Sequence, residues 1–510
     1  MVNKVYSNRI SEYTHENGGR VLLLFLLFSL AIYQLLTSGL SSFAIICFIP
    51  VIVISIYATL KWRMFSFWTL ITINYFIQMK DISLPVPMSL PNEMLEMLLL
   101  GLAIIDTGKN SHFERAGNLM LLGIVIWTLF CCIEMLNDTC ALGIDINSWF
   151  TGARLMALQL IWIFLVFTIY ISSPEILMKY LKIWAIFSLF SAIWVWKQTT
   201  FGFTAAEKQW IETRGRNTHI LQAGTLIRYF STFSDAANYG CHAAAAAVVF
   251  IIMGITARIK KDKIIFLIIS ACVIWGMFQS GTRTATFTLG AGLLTYVFLS
   301  KSIKIAVPFS IVFAFFAFLL IFTNIGNGNQ QIRRMRSAFN KDDASATVRD
   351  VNKDAIRKYI KDAPWGIGIG MSGSNIPANN KYRKLSTIPP DSEYVFIWVH
   401  TGPIGISVFL LSMAIMWIGA CRIVLFKLKN QTLIGIGGGL CSAFVSIQLG
   451  AYANQVLYQY PNGLAFFGGL AIVYILPYIE PKWIEYEEKR FAKQEEIKRL
   501  KFEKKLAKRV

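Results

Sequence analysis

An all-α polytopic integral membrane protein, with about 12–14 transmembrane helices and one large extracytoplasmic loop containing short helices, is what this sequence predicts. Three observations carry that expectation. The 510 residues are 55% apolar and only 15% charged, a balance that a water-soluble domain does not show. Apolar runs long enough to cross a bilayer recur along the chain, near 21–36, 41–60, 64–79, 93–106, 117–135, 154–172, 178–196, 236–257, 264–279, 284–300, 304–322, 393–426, 432–452 and 461–479. The connections between them alternate between Lys/Arg-rich and nearly free of both.

That alternation sets the orientation. Lys61 and Arg63, Lys109 and Arg115, Lys179 and Lys182, Arg258 to Lys263, Lys301 and Lys304, and Arg422 to Lys429 all fall on one side. The positive-inside rule makes that side cytoplasmic. The chain then divides into a cytoplasmic N-terminus (1–20), helices over 21–323, a large outer loop (324–390), helices over 391–479 and a basic cytoplasmic tail (480–510). The first apolar run lacks a small-residue cleavage site and reads as a retained span. The tail mixes Lys, Arg and Glu with Ile484, Ile497, Leu500, Phe502 and Leu506, which suits an amphipathic helix at the inner leaflet or a solvated charged helix.

The formal charge of +20 could suggest nucleic acid. Its distribution in short clusters between apolar runs answers instead to membrane orientation. The eight cysteines have no metal-ligand spacing, and only Cys140 stands in a polar loop, so neither a metal centre nor a disulfide framework is expected. The sequence calls for no cofactor. The Ala243–Ala247 run and the glycines at 435–439 predict close helix contacts.

The outer loop breaks the charge pattern. It carries Arg333, Arg334, Arg336, Lys341, Arg349, Lys353, Arg357, Lys358, Lys361, Lys381, Arg383 and Lys384 against fewer acids. Topology does not explain that charge, because long loops cross the membrane largely regardless of it. An anionic ligand does.

Other polar groups gather on the same face. The stretch LIRYFSTFSDAAN puts Arg228, Asp235 and Asn238 just before a span, and SGTRT puts Arg283 on a very tight turn between two spans. An arginine so placed either snorkels to lipid headgroups or is fixed toward a ligand. Within the loop, SATVRD leads into an amphipathic helix over Val351 to Lys361, ended by Pro364, and WGIGIG makes a turn. That glycine string has no strand-to-helix frame and is not a dinucleotide site. Arg228, Arg283 and Arg349 form a guanidinium set suited to phosphate or pyrophosphate oxygens. No Asp-x-Asp metal pair stands beside them, so arginines rather than a divalent ion would neutralise a leaving diphosphate.

Together these pieces resemble the O-antigen ligase and O-antigen polymerase family of bacterial envelope glycosyltransferases, over roughly residues 190–460. The matching pieces are RYFSTFSDAAN, then SGTRTA, then SATVR…DAPWGIGIG, and last the spacing from Asp391-Ser392 through nine residues, Glu393 to Thr401, to Gly402-Pro403-Ile404-Gly405. In the ligase signature a histidine occupies the place where Asp391 stands here. The resemblance implies a polyprenyl-diphosphate-linked oligosaccharide as donor, a glycan or lipid acceptor, and a site on the outer face of a bacterial inner membrane, working beside a flippase or chain-length regulator. It implies Arg228 and Arg283 on the diphosphate with Arg349 assisting, Asp391 as base or acceptor-orienting group, and Glu393 in reserve. The absent histidine tilts the expectation toward polymerase over ligase, for O-antigen, capsule or exopolysaccharide. His400 stands roughly 13 Å along a helix from Asp391 and cannot easily replace it; His219 and His242 read as structural. A lipid-linked oligosaccharide flippase or other transporter is the rival reading, and it calls for ionisable groups within the spans; a ligase acting on lipid or protein acceptors and a non-catalytic assembly subunit are the further alternatives.

Overall fold

The computed structural model describes residues 53–82, 87–106, 112–221, 226–302, 322–328, 330–337, 344–388 and 392–507, with scattered positions over 18–33 and 307–319. Asp391 and Lys341 lie outside the described residues. Met1–Thr69 and Leu70–Val510 form two compact units, and the second contains nearly all of the helical bundle. The fold is all-α, and its described strands are the two-residue pieces β1 (Ile220–Leu221) and β2 (Leu226–Ile227), paired antiparallel. Among the described residues, eight helices are long and apolar enough to cross a membrane.

The helices are α1 (Met64–Phe76) and α2 (Ser89–Ile105), then α3 (Leu119–Ile133), α4 (Ile146–Tyr170, with a π turn at Arg154–Leu158) and α5 (Pro174–Thr200). Next come α6 (Ala236–Thr256), α7 (Lys260–Gln279) and α8 (Arg283–Leu299). The loop supplies α9 (Gln330–Ser337) and α10 (Ala344–Ile360), and the C-terminal part α11 (Glu393–Arg422), α12 (Gln431–Ala453) and α13 (Gly468–Ala507). Their starts are written in the sequence. Asn118, Asp145, Ser173, Asp235, Ser392 and Asn430 each accept a backbone N–H of the first turn as N-caps, a contact typically worth about 1 kcal/mol.

Small residues let α6 sit at the centre. Ala243 to Ala247 are almost fully buried, and Gly439 of α12 lies so close that a Cβ there would stand 3.5 Å from the Val249 backbone. The expected close contacts are therefore present. One element differs from the sequence expectation. The SATVRD segment does not lead into α10 but forms its first turns, because Ala344 onward already reads as helix. The tail is helical and continuous with the last span: α13 runs to Ala507, through Pro477 and Pro481.

Polar contacts sort to the two ends of the bundle. At one end, the Asp262 carboxylate pairs with Lys182 at 3.2 Å and Arg490 at 2.8 Å, and Glu487 accepts from Asn430 and Thr432. At the other lie the Ser280–Thr282 turn, the 454–462 connection and the loop over 344–388.

Candidate functional site

Arg228 is held before it meets any ligand. Its Nε donates to the Ser280 carbonyl at 3.3 Å, one terminal nitrogen to the Thr218 carbonyl at 3.0 Å, and the other to the Thr282 hydroxyl at 3.0 Å. Backbone bonds fix its position as well, from Arg228 N–H to the His219 carbonyl and from Tyr229 N–H to the Gln279 carbonyl. The short β1–β2 ribbon and the turn between α7 and α8 thus fix one guanidinium between them. Three of its five N–H groups are committed and two remain.

Around it the structure brings together the other predicted arginines. Burial pushes Arg228 below the usual guanidinium range, Asp235 and Cys241 oppose this, and the charges of Arg283 and Arg349 add to it. Arg283, the first residue of α8, in turn feels Arg349 of α10. A fourth member is Arg334 of α9, whose Nε donates to the Gly281 carbonyl at 2.5 Å. Burial, then Arg228 and Arg283, push it down to about 10. Four guanidiniums from four elements therefore share one electrostatic neighbourhood. Among the described residues, Asp235 is the carboxylate whose charge reaches this group, and it is occupied as the N-cap of α6, accepting from Ala237 and Asn238 at 2.8 and 2.9 Å. Like charges within such reach repel, so the arrangement calls for an anion with several oxygens.

Sequence reasoning named Arg334 only as part of the basic loop. The signal was the RRMR spacing, which a short helix turns toward the SGTRT turn.

Glu393 is not with the arginines. It is buried at the start of α11, its carboxylate accepts the Leu457 N–H at 3.2 Å, and its own N–H donates to the Asn454 carbonyl. It ties α11 to the 454–458 connection. The three histidines are engaged structurally. His219 accepts from the Ala236 N–H at Nε2, which leaves Nδ1 to donate to the Gly215 carbonyl. His242 meets Asn462 and Trp184 inside an aromatic cage. His400 sits between the Phe396 carbonyl and the Met371 carbonyl of the loop.

The glycine string does more than turn. Ile367 and Gly368 N–H groups donate to the Val399 and His400 carbonyls at 3.0 Å, where α11 is interrupted at Gly402 with φ 65° and ψ −174°. A Cβ on Gly402 would stand 2.1 Å from the Pro364 carbonyl oxygen, and one on Gly366 would stand 2.4 Å from the His400 carbonyl carbon. Loop and helix backbones meet at a seam that only glycines fit. Trp365 stacks on Phe130 at 5.9 Å, Asn137 donates to the Trp365 carbonyl, and Cys140 is buried beneath the loop.

An arginine cluster at one end of an all-α bundle, with a loop seated across helix ends, marks a multi-pass membrane protein with a cationic patch suited to an anion. Residues 268–410 match the family described as O-Antigen ligase. This stretch, which spans the SGTRT turn, the loop and the Gly402–Gly405 seam, is the part of the chain that is similar to that family. No curated protein matches the chain significantly. Among the described residues no group of three or more His, Cys, Asp or Glu could hold a metal ion.

Proposed function

We propose that this protein is a glycosyltransferase that transfers or polymerises glycan from a polyprenyl-diphosphate donor at the outer face of the bacterial inner membrane. The gathering of Arg228, Arg283, Arg334 and Arg349 is the observation that carries this reading. A diphosphate supplies the oxygens and charge they need, and its departure from the anomeric carbon builds charge where guanidiniums stabilise it. The reaction then needs no metal. Asp391, immediately before the cap of α11, orients or deprotonates the acceptor hydroxyl; Glu393 stays a structural tie. The end bearing Arg258, Lys260, Lys261, Lys263 and the tail faces the cytoplasm by the positive-inside rule, which puts the arginines outside and both termini inside. Polymerase is favoured over ligase by Asp391 standing in place of histidine.

The test is Arg283→Ala and Asp391→Asn, expressed separately in the host at normal abundance, with glycan chain length and the lipid-linked pool measured. Arg283→Ala is expected to cut transfer by about 100-fold or more and to leave unit-length donor accumulating on the outer leaflet. Unchanged polymer would sink the proposal. Donor trapped on the inner leaflet would establish the flippase.

A further inference from the structure

Buried polar atoms without partners are rare in folded proteins and each costs roughly 1–3 kcal/mol. Several gather beside the 454–462 connection, away from the arginines. Glu96 of α2 is 0% exposed and neither of its carboxylate oxygens has a hydrogen-bond partner. One turn before it, Glu93 is 5% exposed; its Oε2 receives Arg154 at 2.8 Å, while its Oε1 has no partner. The Arg154 Nε is likewise buried and unpartnered. The spacing of three puts both carboxyls on one helix face, turned toward α4. The opposite face, with Met94 and Met97, is exposed.

Arg154 opens the π turn of α4, the local widening that often re-aims a side chain at functional sites. The Tyr460 ring completes the group, with Glu96, Glu93 and Arg154 as its charged neighbours and its own hydroxyl buried without a hydrogen-bond partner. Arg154 keeps 23% of its side chain exposed, and Tyr460 and Ser89 are half-buried, so the group reaches the surface at these residues while Glu96 is enclosed. The Tyr460 carbonyl accepts from Asn238, three residues beyond the Asp235 cap of α6. One connection therefore touches both this group and the start of α6, whose Asp235 cap faces the arginines.

We propose that Glu96, Glu93 and Arg154 form a second binding site that takes neighbouring hydroxyls of a sugar, the acceptor end of the reaction. The proposal rests on the glycosyltransferase reading above. The unpartnered atoms are three carboxylate acceptors, the Arg154 Nε donor and the Tyr460 hydroxyl, which can do either. A cation could satisfy the carboxylates but could not accept from the Arg154 Nε. A hydroxyl both donates and accepts, and two on adjacent carbons meet the mixed set with the Tyr460 ring beside them.

The experiment uses the full chain in nanodiscs. The probe is the host's own repeat-unit oligosaccharide, released from its lipid diphosphate by mild acid, with binding followed by calorimetry. The wild-type protein should bind it, and Glu96→Gln and Glu93→Gln should each weaken binding about tenfold, as loss of a charged hydrogen bond does. The thermal stability of Glu96→Gln should hold or rise, because an unpaired desolvated carboxylate has been removed, whereas that of Glu93→Gln should fall, because Arg154 loses its ion-pair partner. Arg154→Lys keeps the ion pair but lacks the Nε donor, so it should weaken binding even if a glutamate variant does not fold. Affinity unchanged within about twofold in these variants, no binding to wild type, or sodium displacing the oligosaccharide would overturn the proposal. Arg283→Ala separates the two readings: it should lose the diphosphate-linked donor and keep the free oligosaccharide. If Arg283→Ala retains the donor, the arginine reading fails and this one stands on its own data.

Discussion

Arg228 commits three donors to protein and leaves two N–H groups over; Arg334 donates to the Gly281 carbonyl and sits among like charges. The two should therefore respond differently to replacement. Arg228→Ala removes the tie between β2 and the α7–α8 turn and is expected to lower the unfolding midpoint and abolish transfer. Arg334→Ala gives up that hydrogen bond but relieves repulsion, so stability should change by no more than about 1 kcal/mol while donor binding falls. A shared large loss of stability would contradict that division. Lys80 adds a pH effect. Its ammonium donates to the Ser234 carbonyl and lies 4.1 Å from the Trp210 ring centre, and burial pushes its pKa down from 10.5 to about 8, against the charges of Asp235 and Glu207. The unfolded chain then holds the proton more tightly than the fold between pH 8 and 10.5, so the Lys80 contribution to stability rises with pH across that window. Thermal unfolding of wild type against Lys80→Met over pH 7.5–10.5 should show this slope only in the wild type.

The seam between the loop and α11 is the element that seats the loop. Gly402→Ala adds a side chain at a φ of 65° and 2.1 Å from the Pro364 carbonyl oxygen, with backbone rather than a flexible chain in the way. Either this variant or Gly366→Ala should unseat the loop, seen as faster proteolysis between 344 and 388 with the spans intact. Unchanged cleavage would show that the seam tolerates displacement. This is also where the sequence was least readable. Span positions and caps follow from apolar runs and single Asn, Asp or Ser residues, which are local signals. WGIGIG looked like an isolated turn because its partner, Gly402, lies some 35 positions later. Arg334 escaped for the same reason: only the folded loop shows which of its many basic residues reaches the SGTRT turn. Glu93 and Glu96 were legible in principle, since acids inside an apolar run default to function, but the run over 93–106 reads as a weak amphipathic span and hides them.

Across the whole molecule, charge separates by end. Asp262, Glu487 and Arg490 fasten the start of the α13 extension at one end, and the arginines occupy the other. With the positive-inside assignment, a membrane-impermeant thiol reagent on intact spheroplasts should label Asn379→Cys beyond the parent background and reach Glu496→Cys only after permeabilisation. Both positions are exposed. The reverse pattern would turn the protein over and place its arginines against cytosolic substrates.

The Gly402 interruption also bears on how such sequences are sorted. Its glycine pattern answers to a steric demand, the fit of one backbone against another, and that demand is indifferent to the side chain eleven positions earlier. A chain can therefore carry aspartate at 391 and still keep the spacing to its glycines intact. The glycine spacing works as an address for the seat of the loop, and it leaves the residue at 391 unspecified.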